Sequence, residues 1–223
     1  MPSLSTPAVD THGISLPSRY SIRPIDATLA PWAKALMVQG FFLRPSIWEP
    51  LLPEPKVANA LRAFTALDGH FAHAIDSGLS YAVMDSEYEF RRPESVASGG
   101  GLYWSELDPD DANFERDGRD KMLERMDFPM VCLALSVDGY DKKPDEASRA
   151  LYQFMPLVRE LGSYFGQKER ESGETWEPSN MGERMIRSGC VTQPGYEGRG
   201  LMTALNHFVS KQLSRILPCL SSL

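Results

Sequence analysis

The sequence has no long apolar run, no excess of basic residues and no closely spaced cysteine pair. Its longest informative apolar stretch, residues 130–135, is far shorter than the roughly 20 residues of a membrane helix. Acidic residues (30) outnumber Lys and Arg (23), which argues against nucleic acid as a partner. Cys132, Cys190 and Cys219 form no Cys-x-x-Cys motif for zinc or redox chemistry. We therefore expect a soluble protein, cytoplasmic or nuclear, that binds no metal, membrane or nucleic acid.

The composition is that of an ordinary globular chain. Apolar residues make up 42% and charged residues 24% of 223 positions, enough for one domain with a proper core. Residues 1–18 are rich in Ser, Thr and Pro and contain no Lys or Arg, which predicts a disordered tail. We expect a single domain over residues 19–217, with a polar insertion at about 88–127, and a short tail over 218–223.

Hydrophobic periodicity gives the order of the elements within that domain. Alternating or continuous apolar runs predict strands at 20–25, 79–84, 128–137 and 183–192. Amphipathic spacing predicts helices at about 32–43, 57–75, 146–167 and 201–217, with a charged helix near 114–126 inside the insertion. Strands and helices in this order predict an α/β fold.

The segment that joins the last predicted strand to the last predicted helix carries the clearest sign of chemistry. It contains Gly195, Gly198, Arg199 and Gly200 directly before the helix. A tight glycine turn at the start of a helix directs backbone N–H groups and the positive helix end toward an anion. A ligand that carries phosphate fits this arrangement. The alternative is a purely structural turn, for which glycine is also suited.

Two common phosphate-binding loops are excluded by the residues around Gly200. A nucleotide-hydrolysing P-loop needs Lys and then Ser or Thr after its last glycine, but Leu201 and Met202 stand there. A dinucleotide fingerprint needs a small third residue where Thr203 stands. It also needs an acidic residue after a further strand, and the given sequence ends at Leu223.

The same segment resembles the acyl-CoA signature of the GNAT superfamily of N-acyltransferases. The family pattern is a strand ending in Val, then Pro, an aromatic residue, Gly-x-Gly, an aliphatic residue and Ala-Leu. The matching residues are Val191, Pro194, Tyr196, Gly198, Gly200, Leu201, Ala204 and Leu205. Two positions depart from it, because Glu197 stands where the family usually has Gln or Arg, and Met202 where it has Gly or Ala. Outside residues 191–205 only the order of elements is similar.

The resemblance implies both a fold and a reaction. The fold is a GNAT-like mixed central sheet flanked by helices. The reaction transfers an acyl group, most often acetyl, from acyl-CoA to the amine of a small molecule or peptide. The coenzyme pyrophosphate would bind the backbone N–H groups of Gly198, Arg199, Gly200, Leu201 and Met202. The side chain of Arg199 would add positive charge. The strand ending at Val191 would pair with the pantetheine arm, and Glu183, the carboxylate on that strand, is the candidate base.

The resemblance also implies elements for which the sequence has no room. The family continues with a fifth strand, a helix and further strands, so we expect a GNAT-like domain whose C-terminal strands and helix are missing. A parallel fourth strand would then lie exposed at the sheet edge, which favours self-association. Two alternatives remain: an inactive or truncated GNAT-like protein that binds acyl-CoA, and a noncatalytic interaction protein whose glycine turn is structural.

Overall fold

The computed structural model describes residues 16–45, 49–141, 145–173 and 177–216. The two predicted tails, 1–18 and 218–223, lie outside these ranges except for residues 16–18. Within them the chain has an α/β fold, with a four-stranded sheet, a two-stranded sheet and eight α-helices. The α/β prediction is therefore confirmed.

The elements follow the predicted order. The strands are β1 Tyr20–Pro24, β2 Tyr81–Asp85, β3 Gly101–Leu102, β4 Met126–Asp127, β5 Met130–Asp138 and β6 Met185–Thr192. The helices are α1 Ala30–Phe42, α2 Lys56–Ala66, α3 Asp68–Asp76, α4 Pro93–Ser98, α5 Phe114–Glu124, α6 Asp145–Phe154, α7 Pro156–Ser172 and α8 Leu201–Ile216. The predicted insertion contains α4, β3, α5 and β4, and its two strands pair with each other.

The main sheet has the order β1-β2-β5-β6, and every pair in it is antiparallel. The described residues form an antiparallel sheet and not the predicted mixed one. The predicted parallel orientation of the fourth strand, which is β6, is wrong. The reason is the path between β5 and β6. Asp138, the last residue of β5, lies opposite Met185, the first residue of β6, so α6 and α7 return the chain to the point where it left the sheet.

Two predicted helices are each divided in the structure. The segment 57–75 breaks at Leu67, just before Asp68 and Gly69, both weak helix formers. The segment 146–167 breaks at Met155, because the following Pro156 disfavours helical backbone in the residue before it and begins a new helix.

Helices cover both faces of the sheet, and β5 is buried between them. Leu133 and Leu135 belong to the larger core, which includes side chains of α1, α2 and α3. Cys132 and Ala134 point the opposite way, into a smaller core formed with α8. Burial on both faces explains why β5 reads as a continuous apolar run in the sequence.

Helix α1 packs closely on β6 because two glycines leave room for side chains of the other element. A Cβ at Gly40 would lie 2.7 Å from both methyl groups of Val191, and one at Gly189 would overlap Met37. Gly40 therefore sets how near α1 approaches the strand that leads into the glycine loop.

Gly40→Ala is expected to lower the free energy of unfolding by about 1–3 kcal/mol, because the β-branched Val191 cannot easily turn away. Gly162→Ala in α7 is the matched control. Its Cβ meets open space, so it should be stabilising by about 0.5–1 kcal/mol. Urea unfolding of both variants and of Gly40→Ala combined with Val191→Ala checks this. If the losses of unfolding free energy caused by Gly40→Ala and Val191→Ala simply add in the double variant, the contact between Gly40 and Val191 is contradicted.

Candidate functional site

The glycine loop connects β6 to α8 and has the conformation that its sequence predicts. Gly195, Gly198 and Gly200 have φ values of 84°, 72° and 75°, the left-handed region that glycine adopts most easily. The N–H of Ala204 donates to the carbonyl of Gly200, which places the start of α8 there. The N–H groups of the first helical turn have no carbonyl within the helix to bind, and no acidic side chain lies in that turn.

An open cleft of about 470 Å³ lies beside this loop, between the end of α1 and the outer edge of β6. Its walls come from three parts of the chain: Gly40, Arg44, Cys190, Val191, Thr192, Tyr196, Glu197, Gly198, Gly200, Leu201, Met202 and Thr203. The loop, the first turn of α8 and the sheet edge thus face one space. Of the predicted cofactor residues, all except Arg199 line it.

The edge of β6 that borders the cleft has no neighbouring strand among the described residues. The N–H of Gln193 donates to the carbonyl of Val131, and Val191 lies opposite Leu133. Because backbone groups alternate in direction along an antiparallel strand, those of Cys190 and Thr192 point toward the cleft. They are available to a ligand. Self-association through this edge stays a prediction.

Glu197, one of the two departures from the acyl-CoA pattern, is neutralised by a residue far away in the sequence. Arg44, just after α1, donates from Nη1 to Glu197 Oε1 at 2.6 Å and from Nη2 to Oε2 at 3.0 Å. The hydrogen bond from Arg44 lowers the pKa of Glu197. The carboxylate therefore stays ionised and paired, and adds little net charge to the cleft.

Tyr196 fixes the loop to the end of β2 through a buried carboxylate. Its hydroxyl donates to Asp85 Oδ2 at 2.8 Å, and Arg19 donates to both oxygens of Asp85 at 3.0 and 2.6 Å. Burial by itself would raise the pKa of Asp85, but the hydrogen bonds from Arg19, Tyr196 and the N–H of Glu87 outweigh it and lower the pKa. Burial and the bond to Asp85 raise the pKa of Tyr196, which remains protonated.

Arg199 points away from the cleft, although it lies between two glycines that line it. Its Nη1 donates to the hydroxyl of Tyr20 at 3.1 Å, and its guanidinium lies 4.9 Å from the centre of the Tyr196 ring. The side chain thus helps to hold the loop against β1. The contribution of its charge to pyrophosphate binding stays a prediction.

Glu183 lies two residues before β6, not on the strand as predicted. It is exposed, and its carboxylate accepts bonds of 2.6 Å from the Asn180 side chain and the N–H of Ser179. These bonds lower its pKa, which disfavours proton uptake near neutral pH. Eight residues of extended chain, about 26 Å, separate it from Val191. Its role as a base stays a prediction that this position does not favour.

The described residues include neither an activated thiol nor a cluster of metal ligands. Cys190 is exposed, but partial desolvation by the surrounding protein raises the pKa of its thiol, which is therefore not an activated nucleophile. Among the residues with described positions, no group of three or more His, Cys, Asp or Glu side chains is placed to hold a metal ion. None of the described helices is both long and apolar enough to cross a membrane.

No protein-family model, curated protein or solved structure matches the chain. Function must therefore be inferred from the fold and from the cleft. Sequence reasoning found the loop but missed Arg44 and Asp85, which pair with Glu197 and Tyr196 across 153 and 111 residues. No local pattern joins either pair. Only the position of Asp85 at the end of a strand, next to a polar turn, hints at its role.

Proposed function

We propose that the protein binds acyl-CoA in the cleft beside β6 and transfers the acyl group, most often acetyl, to an amine. The observation that carries this proposal is the combination of glycines in the left-handed conformation and a helix N-terminus at one end of β6, whose outer edge pairs with no other described strand. An anionic group fits the first part, and an extended arm with amide groups fits the second. Acyl-CoA has both in one molecule.

The pyrophosphate is placed against the backbone N–H groups of Gly198, Gly200, Leu201, Met202 and Thr203. Backbone donors suffice there, so the lack of a lysine after Gly200 does not count against the ligand. The pairing of Glu197 with Arg44 supports the proposal, since a free carboxylate would repel phosphate. The resemblance of residues 191–205 to the GNAT acyl-CoA pattern supports it independently of the geometry.

The pantetheine arm is placed along the outer edge of β6, where its amides pair with the backbone of Cys190 and Thr192. In the reaction the amine nitrogen attacks the thioester carbonyl, the carbon–sulfur bond breaks, and CoA leaves as the thiol after taking up a proton. The amine has to be neutral to attack. Glu197 is a poor base because its pKa is lowered, so we propose that the amine loses its proton to solvent.

Binding and transfer are tested separately. A ligand at 100 times its Kd stabilises the folded state by about 2.7 kcal/mol, which for a chain of this size raises Tm by about 5–10 °C. We expect this rise with acetyl-CoA, together with amine-dependent release of free CoA thiol over a panel of polyamines, amino sugars and peptides. Stabilisation without turnover would leave an inactive acyl-CoA-binding protein. No Tm rise at millimolar acetyl-CoA would refute the proposed function and favour an interaction protein.

Removing either charge of the Arg44–Glu197 pair should change the affinity for acetyl-CoA, in opposite directions for the two residues. Glu197→Gln is expected to tighten acetyl-CoA binding about 2- to 5-fold, because Arg44 then offers an uncompensated positive charge. Arg44→Ala should weaken binding by a similar factor, and the double variant should return close to wild type. Calorimetric titration at low and high salt checks this, since the effects should shrink as salt screens them. Unchanged Kd values in both single variants at low salt would place the phosphates elsewhere.

A further inference from the structure

A second cavity of about 240 Å³ lies on the face of β6 that packs against α1. Its walls are mostly apolar, with His70 and Ser188 as the polar residues among those that line it, and four helices contribute, with Phe41 on α1, Phe71 on α3, Leu151 on α6 and Val158 on α7. The volume is about eight times the share of one water molecule in the liquid, and larger than the 150 Å³ apolar cavity known to bind benzene. The space is therefore large enough for a small apolar ligand.

Ser188 is a polar residue in this wall, and it is there because β6 is irregular. Leu135 pairs with Gly189 and Ser136 pairs with Arg187, so Ser188 has no partner on β5. An extra residue of this kind forms a β-bulge, which redirects a side chain. The Ser188 oxygen is inaccessible to solvent and has no hydrogen-bond partner among the described residues. A buried hydroxyl without a partner is costly, and a bound polar group would satisfy it.

The cavity and the cleft lie side by side along the same two elements. On α1, Gly40 borders the cleft and Phe41 borders the cavity. On β6, Cys190 borders the cleft and Ser188 borders the cavity, a separation of about 7 Å along a strand. A thioester carried along the edge of β6 would therefore bring its acyl chain to the cavity.

We propose that this cavity holds the linear acyl chain of the donor, up to about eight carbons, while the Ser188 hydroxyl donates to the acyl carbonyl. The length follows from the volume, because a methylene group is close to a water molecule in size. This inference rests on the proposed acyl-CoA function for how the chain arrives, but the cavity itself is a separate site. It predicts that a medium-chain acyl-CoA binds more tightly than acetyl-CoA, the donor that the family resemblance by itself suggests.

The test compares acetyl-CoA, octanoyl-CoA and free octanoate by calorimetric titration. Wild-type protein should bind octanoyl-CoA at least about tenfold more tightly than acetyl-CoA, since six further methylene groups leave water. Val158→Phe fills the cavity and should remove this gain while leaving acetyl-CoA affinity unchanged. Val96→Phe is the matched control, because Val96 is 63% exposed on α4 and should behave as wild type. Ser188→Ala, which removes one oxygen atom, should weaken octanoyl-CoA about fivefold.

Each outcome decides between defined alternatives. Equal affinities of wild type for acetyl-CoA and octanoyl-CoA, or a gain that survives in Val158→Phe, would overturn the assignment of the cavity, and an unchanged octanoyl-CoA affinity in Ser188→Ala would overturn the role of the hydroxyl. If neither acetyl-CoA nor octanoyl-CoA binds, the proposed function fails. The binding of free octanoate then tests whether the cavity is a ligand site by itself. Octanoate that binds wild type and not Val158→Phe keeps the cavity as a site for an apolar chain. Octanoate that fails to bind wild type refutes it.

Discussion

Replacing Gly200 by Asp is expected to weaken acetyl-CoA binding at least about 100-fold and to abolish the ligand-dependent rise in Tm. Gly200 has a φ of 75° and lines the cleft where the loop meets α8. Any side chain there strains the backbone by about 1–2 kcal/mol, and a carboxylate would stand against the ligand phosphates. Titration calorimetry and thermal unfolding with acetyl-CoA measure both effects.

Gly173→Asp is the matched control for this loss. Gly173 follows α7, has a φ of 71°, and like Gly200 leaves open space for a Cβ. Its substitution therefore brings the same backbone strain, and the carboxylate at a helix C-terminus costs slightly more stability than one at an N-terminus. We expect a lower Tm with unchanged acetyl-CoA affinity. If the two variants lose affinity equally, the loss comes from general destabilisation, and the cleft is not the phosphate site.

Asp85→Asn is expected to lower the free energy of unfolding by about 2 kcal/mol, or Tm by about 4–8 °C, and to weaken acetyl-CoA binding. The side chain of Asp85 is fully buried and accepts hydrogen bonds from Arg19 and Tyr196. An amide keeps the shape but loses the charge and turns one acceptor into a donor. Tyr196 then loses its partner, and the loop that it holds is less well ordered for the ligand.

Asp117→Asn is the matched control for Asp85→Asn, because it removes the carboxylate of an ion pair that is exposed rather than buried. Asp117 also accepts two hydrogen bonds from one guanidinium, that of Arg116, but both groups lie on the surface of α5. Exposed pairs contribute little, so stability should barely change. Equal losses in the two variants, measured by urea unfolding, would mean that the buried network has no special role.

The same network predicts a pH dependence. The pKa of Asp85 is lower in the folded protein than its ordinary value. The stabilisation is therefore complete above about pH 4, the unfolded pKa, and is lost as pH falls through the lower folded pKa. The pKa of Asp127 is also lowered, by hydrogen bonds from Ser95 and backbone N–H groups that outweigh burial, so only part of the acid sensitivity belongs to Asp85. Asp85→Asn should lose stability less steeply than wild type below pH 4.

Features that rest on local patterns could be read from the sequence. The apolar run of 128–137 predicted a strand, and the structure forms one there, β5, with both of its faces covered. The glycines before α8 predicted a tight turn at a helix start, and Gly195, Gly198 and Gly200 adopt the left-handed backbone conformation there. Such features depend on neighbouring residues alone, which is why composition and periodicity reveal them.

Features that rest on distant contacts could not be read in this way. The direction of β6 depends on how α6 and α7 return the chain, and periodicity carries no sign of direction. The pairing of Arg44 with Glu197 depends on α1 packing against β6, which Gly40 permits. The apolar cavity needs four helices and a β-bulge together. The glycine loop was therefore predictable, but the neutralising charge, the anchor at Asp85 and the second cavity were not.

The most direct measurement is the change in backbone amide chemical shifts when acetyl-CoA is added to isotope-labelled protein. We expect the largest changes in the loop and first turn of α8, at Gly198, Gly200, Leu201, Met202 and Thr203, with further changes at Cys190 and Thr192. Binding at the phosphate end alone would move only the first group. Unchanged shifts in both groups at saturating acetyl-CoA, or changes confined to another surface, would contradict the acyl-CoA site.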